Sequence, residues 1–247
     1  MPSARLYIIR HGETNENRLG IIQGHMDTEL NEQGIAQSGI AAQTMENVPL
    51  TEVWSSDLQR AVKTAQIITE KHPGLAFVST RKLRERCLGS LEGKHHAQKS
   101  KMLSKFPRGI DPSAEAVEVM QERTMNWWDT DVLGLTKRPV PSLDLPNHLN
   151  EKEKEKQHHV LVVSHGGFIG SVVRRLIGTG RVSGARPQDW KCFNTSITTI
   201  DVDESGRGTL VKYADIGHML KAVREGRVVE NNVDVPLEGM KAVSGES

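Results

Sequence analysis

The stretch "HVLVVSHGGFIGSVVRRLI", residues 159–177, decides how the chain is organised. Val160 to Val163 form a nearly continuous aliphatic run, the pattern of a strand buried on both faces in a parallel sheet. Ser164, His165, Gly166 and Gly167 interrupt it. Phe168, Ile169, Val172, Val173, Leu176 and Ile177 then recur at helical spacing, so a helix with one apolar stripe follows the strand. Two further stretches repeat the order of strand, polar turn and helix: "RLYIIRHGE" at 5–13 and "TEVWSSDLQRA" at 51–61. The repetition predicts an α/β fold, a three-layer α/β/α sandwich with a mostly parallel central sheet.

The remaining elements fill in around these units. Asn31 is placed to cap a helix over 32–45 that turns Ile35, Ile40, Ala41 and Met45 inward, with Gly34 and Gly39 weakening it. Ser56 and Gln59 have the spacing of a capping box, which starts the next helix at Ser56. Leu58, Ala61, Val62, Ala65 and Ile68 form its stripe. "LAFVST" at 75–80 reads as a strand, and 194–215 as a hairpin turning at Gly206. Residues 94–135 read as an inserted helical cap over the strand ends. The charged "NEKEKEK" makes 136–157 a solvated excursion, and 225–247 is a tail poor in core residues. With 247 residues, one domain spanning 1–247 is the expected organisation.

A net charge of +1 provides no long-range field for nucleic acid or an anionic membrane surface, so neither is an expected partner. No apolar run approaches the roughly 20 residues of a membrane helix. Cys87 and Cys192 lack metal-ligand spacing, and no signal-like segment precedes the first strand, which points to reduced thiols in a cytoplasmic protein. His95 and His96, with His25, His158 and His159, show no metal-binding spacing and read as surface histidines, so no metal is expected.

"YIIRHGE" and "LVVSHGG" both end a strand in X-His-Gly. Ligands of open parallel sheets bind beyond the carboxyl ends of the strands, so His11 and His165 share one edge, and Arg60 reaches it from the first turn of its helix. Arg10 and Arg60, two permanent guanidinium forks, suit a tetrahedral dianion such as phosphate. A neutral His11 can attack phosphorus in line, and His165 can stabilise the transferring oxygens. A leaving alkoxide needs a proton, and "RKLRERCLGSLEG" offers two acids, Glu85 and Glu92.

Together, "RHGET" at 10–14, "SSDLQRAVKTA" at 55–65, "LRERCLGSLEG" at 83–93 and "VVSHGG" at 162–167 resemble the motifs of the histidine phosphatase superfamily, the phosphoglycerate-mutase-like proteins. The resemblance spans residues 4–93 and 158–200. It implies that His11 is the phosphorylated residue, that Arg10 and Arg60 bind the phosphoryl group, that His165 completes the pocket and that Glu85 is the acid. It also implies substrate contacts from Asn17, Gln23 and Gly24 in "NENRLGIIQG" and from Gly166, and a reaction that needs no cofactor. The family's mutases carry a tyrosine before the glycine of the acid motif, and later an Arg-Arg-Ser segment. Here Leu88 precedes Gly89, and no Arg-Arg pair lies between Glu92 and Pro139. The small phosphatase branch is therefore favoured, with a small phosphorylated metabolite as substrate, whether at broad specificity or as fructose 2,6-bisphosphate. A cofactor-dependent mutase and an inactive phosphate- or phosphoprotein-binding relative are the alternatives. Lys94, Lys99, Lys101, Lys105 and Arg108 read as a solvated face or as a second anion site, and Trp127 and Trp128 as core packing or pocket lining. The helical faces also fit a homo-oligomer.

Overall fold

The computed structural model describes residues 2–141 and 157–227. The charged excursion and the C-terminal tail therefore lie largely outside the described residues. The strands are β1 (Ala4–Arg10), β2 (Glu52–Ser56), β3 (Ala76–Thr80), β4 (His158–Ser164), β5 (Val182–Gly184), β6 (Ile197–Val202) and β7 (Gly208–Asp215). They form one seven-stranded sheet in the order β3-β2-β4-β1-β6-β7-β5. β3, β2, β4 and β1 run parallel, and β6 runs antiparallel to both β1 and β7. The longer helices are α1 (Glu32–Met45), α2 (Gln59–Thr69), α3 (Val117–Trp127), α4 (Gly166–Gly178) and α5 (Gly217–Arg224).

Side-chain alternation in β1 and β4 separates the two cores. Leu6, Ile8, Val160 and Val162 face Phe168, Ile169, Val172 and Val173 of α4 and Met120 and Trp127 of α3. Ile9, Leu161 and Val163 face Ala41 and Met45 of α1 and Ala61, Ala65 and Ile68 of α2. A helical layer thus covers each face of the sheet, which makes the three-layer sandwich. Trp127 and Trp128 are fully buried, with Trp127 meeting Trp54 and Phe168 edge-on, so they belong to the core. Lys94, Lys99, Lys101, Lys105 and Arg108 are all exposed.

Three sequence expectations need correction. Helix α2 starts at Gln59, and Leu58 at its N-cap supplies no side-chain hydrogen bond. Asp27 does the capping from a distant loop, accepting from the Gln59 amide at 2.7 Å, while the Ser56 hydroxyl is used elsewhere. Ile35 is 46% exposed, because Gln37 and Ser38 take the inward face of the first turns of α1. His158 and His159 are buried at the start of β4, where His158 Nε2 bonds Arg138 O and His159 Nδ1 lies 3.3 Å from the Tyr7 hydroxyl.

The two glycines of α1 have opposite meanings. A Cβ on Gly34 would stand 2.0 Å from Glu13 O, so its absence lets the loop after β1 lie directly on the helix. A Cβ on Gly39 would meet nothing within 4 Å. Gly39→Ala therefore stabilises the fold by about 0.5–1 kcal/mol, whereas Gly34→Ala destabilises it. Urea unfolding midpoints check the pair, and a shift of the same sign in both variants would contradict this packing.

Candidate active site

The carboxyl ends of β1, β2 and β4 deliver the central residues. His11 follows β1 directly, its amide donating to Ser164 O of β4 at 2.9 Å. Its Nδ1 donates to Gly12 O at 2.7 Å, which fixes the tautomer and leaves Nε2 with the lone pair. The ring is 3% exposed and lies 5.1 Å, centroid to centroid, from that of His165. Burial, then Arg60 and Arg10, hold its pKa well below the ordinary imidazole value, so His11 is neutral at pH 7.

His165 is the N-cap residue of α4 and is equally buried. Its Nε2 lies 2.8 Å from Ser56 Oγ at the end of β2. That hydroxyl also accepts from the Leu58 amide at 3.4 Å. Nδ1 is buried without a protein partner. Burial foremost, then Arg60, His11, Arg10 and His25, keep this imidazole neutral too.

Arg60 is 1% exposed in the first turn of α2. One terminal nitrogen donates to Met26 O at 2.6 Å and the other to Gly24 O at 2.9 Å, while Nε is buried without a protein partner. Burial lowers its pKa to about 10, and Glu85 opposes that shift, so the guanidinium stays charged. Arg10 donates to Cys192 O at 2.7 Å. Thr64 ties the two sides together, accepting from the Gly12 amide and donating to Arg60 O.

Glu85, the acid implied by the resemblance, and Glu92, the second acid of the same loop, take different places. Glu85 accepts from the Gly167 amide and from its neighbour Arg86, both at 2.8 Å, which brings its carboxylate to the first turn of α4 beside His165. Glu92 Oε1 accepts from the His25 and Leu88 amides and braces two loops. Arg123 of α3 holds the acid loop from behind. It donates to the carbonyls of Lys82, Arg84 and Glu85 and is paired with both oxygens of Glu115. Gly167 serves Glu85, because a Cβ there would lie 2.3 Å from Oε1. Gly167→Ala therefore displaces the carboxylate and lowers turnover of phosphate esters with poor leaving groups about tenfold or more, relative to p-nitrophenyl phosphate. An unchanged ratio of kcat/KM values would refute that role for Gly167.

The other sequence candidates take supporting positions. Asn17 caps the single turn Asn15–Arg18 reciprocally with Thr14, and its oxygen also lies 3.4 Å from Asn194 Nδ2. Gln23 accepts from Thr28 Oγ1, and Gly24, at φ +50°, supplies the carbonyl that holds Arg60. Gly166 lies beside Arg10, where a Cβ would make ordinary contact at 3.5 Å. Thr64, Arg123 and Asn194 escaped the sequence reading, and Ser56 was read there only as a helix cap. Asn194 donates to His11 O at 2.9 Å. The one signal it offers is a polar run, "NTS", just before a strand; because β6 is antiparallel to β1, that run arrives where β1 ends.

Burial of neutral histidines gives stability a definite pH dependence. Below about pH 6.5 the unfolded chain binds protons that folded His11 and His165 refuse. His159, pushed down to about 4 by burial and then Arg5, behaves the same way. Stability is therefore full above pH 6.5 and falls as pH drops, each residue contributing about 1.4 kcal/mol per pH unit until its folded value is reached. Denaturant midpoints at pH 7.5 and 5.5 measure the slope; equal midpoints would mean that these rings are not held neutral.

A family model, the histidine phosphatase superfamily (branch 1), matches residues 6–216. The chain is 29% identical over 228 residues to a probable phosphatase of Schizosaccharomyces pombe, covering 91% of this chain and 99% of the relative. It is 32% identical over 219 residues to phosphoglycerate mutase-like protein 4 of Arabidopsis thaliana, covering 87% of each. The fold matches the crystal structure of a phosphoglycerate mutase from Bacillus anthracis with a TM-score of 0.71 at 22% identity, over 89% of this chain and 96% of the other. The chain belongs to the histidine phosphatase superfamily, branch 1, and by class it is a histidine phosphatase. Among the described residues no helix is long and apolar enough to cross a membrane.

Proposed function

We propose that this enzyme hydrolyses the monoester of a small phosphorylated metabolite through a phosphohistidine at His11, with no metal in the reaction. The observation that carries the reading is the His11 ring itself, with Nδ1 tied to Gly12 O and Nε2 left as a neutral nucleophile between Arg10, Arg60 and His165. Nε2 attacks phosphorus, the bond to the leaving oxygen breaks, and Glu85 gives that oxygen its proton. The phosphoimidazolium keeps its Nδ1 proton on Gly12 O. Water then attacks phosphorus, Glu85 takes a proton from it, and His11 is restored as phosphate departs. Two buried nitrogens without protein partners, His165 Nδ1 and Arg60 Nε, suit the transferring oxygens as hydrogen-bond donors.

The test is phosphate release from p-nitrophenyl phosphate, fructose 2,6-bisphosphate, 3-phosphoglycerate and nucleotides, with chelator present. Release supports the phosphatase reading and ranks substrates. An isomerised substrate without free phosphate would replace the reading with a mutase. Phosphate binding without turnover would leave a binding protein.

A further inference from the structure

A cavity of about 620 Å³ opens between α3 and α4 beside Glu85. Glu85 and Gly167 form one end of its wall, and these residues also border the phosphoryl site. Leu88, Val117 and Met120 supply apolar wall, and Arg86, Arg174 and Arg175 supply three positive charges. None of the proposed catalytic steps uses these arginines. Resting on the hydrolytic reading above, we propose that this cavity holds the leaving group of the substrate, and that the leaving group bears a second anion, a carboxylate or phosphate, read by Arg174 and Arg175.

The argument starts from the proton. An acid protonates the oxygen that departs, so the leaving group lies on the side of Glu85, where this cavity begins. The volume lies in the range of small-molecule sites. Its long wall is one face of α4, on which Gly167, Ser171, Arg174 and Gly178 follow at helical spacing. Gly167 and Arg174 are separated by about 10 Å along the axis at 1.5 Å per residue, and side chains on a helix lean back over the preceding turn. An arginine there reaches toward the acid. Arg174 stacks over Trp190, its Cζ 4.4 Å from the ring centroid, which holds the guanidinium in a defined place. Arg86 is anchored by Nε to Glu115 O. Arg175 makes no side-chain hydrogen bond or ion pair among the described residues. Lys94, Lys99, Lys101, Lys105 and Arg108 are absent from the cavity's wall, so the second-anion site assigned by this geometry differs from the one suggested by their charge run.

The experiment compares two aryl phosphates with nearly equal leaving groups, 4-(carboxymethyl)phenyl phosphate and its neutral amide, 4-(carbamoylmethyl)phenyl phosphate. The expected result is a kcat/KM preference of about tenfold for the carboxylate, the size of one charge-assisted hydrogen bond. The preference shrinks as salt is raised and falls toward one in Arg175→Gln and Arg174→Gln. Because each variant is read as a ratio, a loss of folded enzyme does not imitate the result. Equal kcat/KM for the two esters in the wild type, or a preference that survives in both variants, overturns this inference and leaves the hydrolytic reading intact. No hydrolysis of either ester or of p-nitrophenyl phosphate overturns both.

Discussion

Replacing His11 by alanine slows phosphate release by about 10⁴-fold or more, the scale at which a lost covalent nucleophile is felt. Nothing nearby can take over. His165 Nε2 is held at Ser56 Oγ, and its ring centroid lies 5.1 Å from that of the ring removed. The arginines that surround the site remain, so the variant still binds phosphate as a competitive inhibitor while turnover is lost. Brief exposure of the wild-type enzyme to a labelled substrate leaves an acid-labile, base-stable label, as a phosphoramidate does, and the variant carries none. A label that persists in the variant would move the nucleophile elsewhere. Because burial and two arginines hold His11 neutral far below pH 6.5, wild-type activity does not fall by protonation of this ring as pH drops from 7 to 6.

Glu85→Gln produces a loss that depends on the leaving group. For an alkyl phosphate the proton is needed as the bond breaks, and turnover falls by about 10²- to 10³-fold. For p-nitrophenyl phosphate the departing oxygen is stable as an anion, and the loss is small. Glutamine retains the shape of the side chain and one acceptor for the Gly167 or Arg86 amide, so the difference reports on the proton. Glu92 provides the contrast. Its oxygen braces Leu88 and His25, and His25 Nε2 in turn lies 2.7 Å from Glu85 O, so Glu92→Gln disturbs all substrates alike. Equal losses for both esters in Glu85→Gln would remove Glu85 from the acid role.

Much of the sheet was legible in the chain because burial on both faces writes itself as continuous aliphatic runs. Val160–Val163 has no polar position to blur the pattern, Leu6–Ile9 is interrupted only by Tyr7, and both fall in the sheet centre. The stripe of α4 was equally clear, since a helix covering a sheet must present one apolar face. Local readings failed where a distant partner outcompeted the local one. Ser56 has capping-box spacing, but its hydroxyl is engaged by His165, which lies 109 residues away, and Asp27 caps α2 instead. Gly34 counts against a helix by propensity, yet the helix depends on that glycine because Glu13 lies against it.

The repeated succession of strand, turn and helix, with the residue types at the turns, therefore determined from the sequence alone the α/β architecture and the convergence of Arg10, His11, Arg60 and His165 on one edge. These are consequences of periodicity and of the rule that strand ends face one way. The separate places of Glu85 and Glu92, the tautomer of His11, the clamp made by Arg123 and the cationic cavity along α4 were decided only by tertiary structure. Each depends on a hydrogen bond or a wall shared by residues far apart in the chain, and such distances leave no period for a sequence to display.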